Sequence, residues 1–113
     1  MRVRGLIRTG EIATTQPVAM ELFVGARDEE HERMLRRMVA GFHLLPFDAE
    51  TDFDVAARIY RLCRVAGVTP RGLIDCMIAA VAMRHRVAVL SHDADFARIA
   101  DVVALELDEH SRR

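Results

Sequence analysis

The stretch GLIDCMIAAVAMRHRVAVLS, residues 72–91, constrains the fold more than any other part of the chain. GLIDCMIAAVAMRHR is apolar nearly all round, the pattern of a helix of about four turns with no solvent face. VAVLS follows at once as a short, continuous apolar run, the kind of strand found inside parallel sheets. A buried helix feeding a strand covered on both faces needs further layers around it, and an α/β fold supplies them. The amino-acid balance agrees: aromatics are 5% of the chain and Trp is absent, so the core must be aliphatic. With 113 residues the chain makes one domain, residues 1–113, and folding removes roughly 65% of its unfolded surface from water.

The remaining elements alternate in the same way. Ile12 to Thr14 is β-like, Thr15 is a candidate N-cap, Pro17 falls in the first helical turn and Gly25 stops that helix. Asp28 caps a second helix, Glu29 to Ala40, with Met34, Leu35 and Met38 at helical spacing and Gly41 at its end. FHLLPF reads as a strand closed by Pro46. A helix over 52–66 follows, with Phe53, Ala56, Ala57, Ile59, Tyr60, Cys63 and Ala66 expected on its apolar face. A short helix around Phe96 to Ala100 and a terminal strand, VVALEL, complete the chain.

Several function classes lose support at this stage. No apolar run approaches the roughly 20 residues of a membrane span, and the N-terminus has no signal-peptide core, so a soluble, cytoplasmic protein is expected. Cys63 and Cys76 sit inside apolar helical patterns and read as reduced packing residues. A net charge of −1 gives no global pull toward nucleic acid or membrane. All 16 basic residues are arginine, which excludes lysine-dependent chemistry. The five histidines show no ligand spacing, and no zinc site is assigned.

The acids are arranged more suggestively. In a parallel α/β sheet a helix N-terminus lies at the same edge as the C-terminal end of the strand that follows it. Asp75 is in the first turn of the buried helix, Asp93 and Asp95 lie just past the next strand, and Glu21 is about one turn into the helix after strand 12–14. All four therefore project toward the edge where open α/β sheets place ligands. Each has a plainer role open to it: Asp75 complements a helix terminus, Asp93 or Asp95 caps a helix, and Glu21 faces solvent. Crowded carboxylates repel one another unless a cation lies between them, and oxygen donors without a Cys/His cluster point to Mg²⁺ or Mn²⁺.

Three segments, TTQPVAMELFVGAR, LIDCMIAAVAMRH and LSHDADFARIA, closely resemble the motifs of PIN-domain endoribonucleases, specifically the VapC toxins of bacterial toxin–antitoxin operons. The resemblance runs from about Ile12 to the C-terminus in matching order. It implies a three-layer α/β/α fold with a parallel sheet, and Mg²⁺-dependent (or Mn²⁺-dependent) hydrolysis of RNA phosphodiester bonds. By that likeness Glu21, Asp75 and Asp93 fall on catalytic metal-site positions, with Asp95 a further ligand or supporting acid. Ser91 matches a hydroxyl that orients a carboxylate or water, and Arg71, beside the Asp75 helix, is a candidate phosphate contact. The implied partners are RNA, a VapB-type antitoxin that presents a basic residue to the carboxylates, and a second copy of the chain in a homodimer. GLIRTG and the Met-rich second helix are candidates for that dimer interface.

The chain departs from the family pattern at one place. VapC toxins begin with an apolar strand ending in Asp, which supplies the first metal-site acid and the centre of the sheet, and MRVRGLIRTGEIA does not match it. Met1 is expected to fall in the first helix, leaving the sheet without its N-terminal central strand. Either the natural start lies further upstream, or the chain is a truncated PIN remnant that binds antitoxin or RNA without cutting. A haloacid-dehalogenase-like phosphatase is a weaker rival, because its Asp-x-Asp sits on the first strand and works with a lysine.

Overall fold

The structure, a computed structural model, describes residues 4–8, 11–70, 72–91 and 94–107. In chain order it contains β1 (Arg4–Arg8), β2 (Glu11–Thr14), α1 (Gln16–Val24), α2 (Glu29–Ala40), β3 (His43–Leu44), α3 (Asp52–Val65), α4 (Leu73–His85), β4 (Ala88–Ser91) and α5 (Ala94–Ala100). The strands form one sheet in the order β3-β2-β1-β4. β2 and β3 are parallel, and β1 is antiparallel to both β2 and β4, so β2, β3 and β4 all point the same way.

The α/β class expected from the sequence is present, with one correction at the sheet centre. The N-terminal residues were expected to fall in a helix and the central position to be missing, yet β1 fills it in the reverse direction. Pairing explains this: β2 and β4 each carry a row of backbone N–H and C=O groups facing the gap, and buried groups of that kind are costly to leave unpaired. Leu6 supplies the side chain that such a position needs. It lies between Ala13 on β2 and Val89 on β4, and all three are at most 2% exposed.

α4 organises the core, as its unbroken apolar pattern predicts. Cys76, Ile78, Ala79, Ala80, Val81 and Ala82 are all buried, and α3 is the helix packed most extensively on it. Removing a side chain such as Ile78 or Val81 from water contributes about 1.5–3 kcal/mol. α4 then ends on Arg86, whose φ of 54° is left-handed. Val87 N–H bonds to the Ala82 carbonyl and Arg86 N–H to that of Met83, so the turn into β4 is a closed six-residue cap. α3 ends in the same way on Gly67, at φ 80°, where no side chain is strained.

Other expectations shift in detail. α3 turns inward through Asp52, Ala56, Ile59 and Cys63, while Phe53, Ala57 and Ala66 are exposed. The cause is Asp52, which is 0% exposed and bound to Arg84 of α4, and that contact fixes the rotation of the helix. Phe53 instead meets Phe47 edge-on, with ring centroids 4.7 Å apart. α2 is capped by Asp28, which accepts from His31 N–H at 2.7 Å, but it buries only Leu35 and leaves Met34 and Met38 largely in solvent. FHLLPF contributes two strand residues, and VVALEL reduces to a single parallel bridge between Val89 and Leu107.

Candidate active site at the strand-end rim

Because β2 and β4 run the same way, their C-terminal ends share one rim of the sheet. α4 enters β4 through the tight Arg86–Val87 turn, so its N-terminal turn returns to that rim. Strand alternation places side chains two residues apart on the same side of the sheet. Ser91 is therefore on the side of Val89, and Thr15, which continues β2 in extended backbone (φ −142°, ψ 162°), is on the side of Ala13. Ala13 and Val89 flank Leu6 in one row, so Thr15 and Ser91 share that side one step closer to the rim.

Five polar or charged side chains are buried among the described residues: Thr14, Thr15, Asp52, Asp75 and Ser91. All except Asp52 belong to this rim. Asp75 is the one with the most demanding chemistry. It lies in the first turn of α4 and is 5% exposed, with Cys76 fully buried beside it. A carboxylate so placed is stable only with compensating donors or cations. The unpaired N–H groups and dipole of the helix terminus contribute about 0.3–1 kcal/mol toward that.

The other expected site residues divide into two groups. Glu21 is half-buried in the second turn of α1, and Ser91 is 2% exposed at the end of β4, on the rim. Asp95 falls within α5, directly beyond β4, and its side chain lies outside the described set. Asp93 and Arg71 also lie outside the described residues. Among the described residues no three His, Cys, Asp or Glu side chains form a metal-holding group. In type, the donors present at the rim are carboxylate and hydroxyl oxygens, which suit a hard divalent cation.

Thr15 occupies the N-cap position that the sequence expects, without the side-chain bond that usually goes with it. Its carbonyl accepts from Ala19 N–H at 3.0 Å. Pro17 at the start of the helix has no N–H to give, which removes one of the two usual partners of a capping hydroxyl. The Thr15 side chain is 0% exposed and its Oγ1 has no hydrogen-bond partner.

The far end of α4 carries the fifth buried group. Asp52 receives Arg84 Nε at 3.0 Å and Nη2 at 2.8 Å, together with Asp48 N–H at 2.8 Å, while Arg84 Nη2 also donates to the Pro46 carbonyl. Burial pushes the Asp52 carboxyl up, but the Arg84 and Asp48 hydrogen bonds and the charges of Arg84 and His85 outweigh it and hold the group below its ordinary value. Burial also pushes the Cys63 thiol up, so it stays protonated and serves as packing.

The pattern of the PIN domain matches residues 1–102 of the chain. The chain belongs to the PIN-domain family. Its relatives include the ribonuclease VapC11 of Mycobacterium tuberculosis, 42% identical over 108 residues that cover 94% of this chain and 81% of that protein. A VapC ribonuclease of Mycobacterium bovis matches to the same extent. Ribonuclease VapC51 of Mycobacterium tuberculosis is 33% identical over 100 residues, 88% of this chain and 72% of the relative. In this PIN domain the central strand meets the rim with Arg4, paired with Ser91, where the family resemblance expects an aspartate. The sequence shows that the expected apolar strand ending in Asp is missing, but the arrival of Arg4 at this position depends on the reversed direction of β1.

Proposed function

We infer that this PIN domain is a metal-dependent endoribonuclease that hydrolyses RNA phosphodiester bonds as the toxin of a VapBC-type pair. The observation that carries the reading is Asp75, a carboxylate 5% exposed at the rim of a domain 42% identical to VapC ribonucleases over 94% of its length. In this reading Glu21, Asp75 and Asp93, with Asp95 in support, hold Mg²⁺ or Mn²⁺. When bound, the cation stabilises the charge that develops on the phosphodiester oxygens. Ser91 orients a carboxylate or water by its hydroxyl, and Arg71 draws in a phosphate, a task that arginine performs with two parallel donors.

The antitoxin partner places a basic residue against the carboxylates. An apolar groove of about 430 Å³ between α1 and α2, lined in part by Met20, Phe23, Val24 and Arg36, supports a protein partner on that face. Exposed Met34 and Met38 on α2 support a second copy of the chain there. No helix among the described residues is long and apolar enough to cross a membrane.

One observation favours a second reading, a PIN domain that binds RNA or antitoxin without cutting. β1 brings Arg4 rather than an acid to the rim. Incubating the purified chain with structured RNA separates the two. Cleavage that requires Mg²⁺ or Mn²⁺ and stops in EDTA supports the nuclease, while RNA retained intact in a stable complex supports the binder.

A further inference from the structure

We propose that the exposed face of α3 is a phosphate-binding track for RNA, with Arg58, Arg61 and Arg64 leading a strand toward the strand-end rim. This rests on RNA as the ligand, as in the reading above, and names where on the chain its backbone is held. Residues 55–70 contain these three arginines and no Asp or Glu, in a chain whose net charge is −1. All three are exposed, while the opposite side of the helix packs inward through Asp52, Ala56, Ile59 and Cys63. Arg61 and Arg64 have no ion-pair partner among the described residues. Arg58 lies 3.8 Å from Asp54, but the two side chains are 74% and 76% exposed. A pair so placed holds its members weakly. The arginines of α2 are set differently: Glu29, Glu30 and Glu32 precede them, and Arg36 is taken up by Glu32 and the Phe23 ring.

The spacing suits a polyanion. Arginines at every third position span about 9 Å of helix at 1.5 Å per residue and wind over about 120° of its outer surface. A nucleic-acid strand carries about one charge per 3.4 Å of helix axis, so two or three successive phosphates fall within that span. Each guanidinium stays charged and offers paired donors to phosphate oxygens. The fold gives the track its direction. Asp52, the first residue of α3, binds Arg84 in the last turn of α4, so the two helices run antiparallel and α3 ends beside the start of α4. Arg64 therefore lies at the rim end of α3, and Arg58 lies furthest from the rim. Arg64, in the last turn, also complements the helix dipole, a role that neither Arg58 nor Arg61 is placed to fill.

Arg61→Gln with Arg64→Gln removes two charges from exposed positions of α3, and Arg33→Gln with Arg37→Gln, exposed on α2, is the charge-matched control. The readout is the anisotropy of a fluorescein-labelled single-stranded RNA of mixed sequence, titrated with the full chain in EDTA at several salt concentrations. Each phosphate contact contributes about −0.7 to the slope of log K against log salt for a single strand. R61Q/R64Q is expected to make that slope shallower by about 1.4 and to weaken binding by about 10-fold or more at about 0.1 M salt. R33Q/R37Q is expected to keep the wild-type slope. An unchanged slope in R61Q/R64Q, or an equal change in both pairs, overturns the proposal. An unchanged slope joined to a changed sedimentation coefficient would make this face, with its exposed Leu62 and Val65, an interface between copies of the chain instead. Adding Mg²⁺ separates the track from the nuclease reading. A wild type that binds RNA through α3 without cutting it keeps the track and rejects the nuclease. A wild type that cuts, while R61Q/R64Q retains the wild-type slope, rejects the track alone. If the wild type binds no RNA, both fall.

Discussion

The two ends of α4 hold buried carboxylates in different settings, and each end has one buried side-chain atom without a hydrogen-bond partner, Thr15 Oγ1 near the first turn and His85 Nε2 at the last. At its C-terminal end Asp52 is 0% exposed and takes hydrogen bonds from the Arg84 guanidinium and the Asp48 backbone, and Arg84 uses its remaining reach on the Pro46 carbonyl. At its N-terminal end Asp75 and Ser91 are buried beside a strand end where the Thr15 hydroxyl has no partner at all. The helix between them is 13 residues long, about 20 Å, and its apolar packing holds both ends rigidly. The difference separates two uses of buried polarity. The ion pair at Asp52 locks α3 to α4, with the Arg84 guanidinium committed to Asp52 and the Pro46 carbonyl. The rim instead gathers a buried carboxylate and hydroxyls at a strand end, a setting suited to binding.

Breaking each end in turn should give opposite phenotypes. The largest effect is expected at Asp75. Asp75→Asn should lower Mg²⁺-dependent RNA cleavage by about 100-fold or more, the scale of removing a preorganised electrostatic group. Its melting temperature in EDTA should not fall. Gel-resolved cleavage rates and calorimetric melting of the same preparation check both halves, and a variant that unfolds instead would move Asp75 into the structural class with Asp52.

Asp52→Asn comes next and should do the reverse. Removing one partner of a buried ion pair costs about 3–5 kcal/mol, and the Arg84 side chain, 34% exposed, brings this toward about 2–3 kcal/mol. Denaturant unfolding should report that loss, while Mn²⁺ affinity stays unchanged.

The same pair sharpens the contrast through pH. The Asp52 carboxyl is held below its ordinary value when folded, so its stabilisation is fully present above its unfolded pKa of about 3.9. It is lost as pH falls through the lower, folded value. Wild-type stability should therefore decline on acidification below about pH 4, with part of that decline missing from D52N. Equal acid limbs in the two proteins would show that Asp52 carries no pH-linked stability.

The smallest change is expected at the turn that joins α4 to β4. Arg86 sits at φ 54°, a conformation that costs a non-glycine residue about 1 kcal/mol. Arg86→Gly should leave stability unchanged or raise it by up to about 1 kcal/mol, and melting temperature measures it. A large loss would mean that the Arg86 side chain supports the cap directly.

The sequence makes some of this comparison legible and hides the rest. α4 and β4 are readable because Cys76–Met83 and Val87–Leu90 are unbroken apolar runs, and the bounds of α1 and α2 follow from Asp28, Gly25 and Gly41. The strand-end rim follows from element order alone, since a helix and the next strand must run opposite ways. β1 is not readable: Arg4–Arg8 is five residues with a glycine inside and arginine at both ends, too short for an alternation to emerge. Its place is decided by the gap between β2 and β4, a tertiary demand with no local signature. The Asp52–Arg84 pair joins positions 32 residues apart, and at sequence level each looks like an ordinary helix-end charge. Thr15 has the opposite difficulty, because a threonine before a helix invites a capping assignment and only burial shows that the hydroxyl is unused.

The most direct test of this account is a Mn²⁺ titration of the wild type, D75N and D52N side by side, at a temperature where all three are folded. The account predicts saturable binding in the wild type, equal binding in D52N and none in D75N. Binding that survives in D75N, or disappears in D52N, would contradict the assignment of the cation to the strand-end rim.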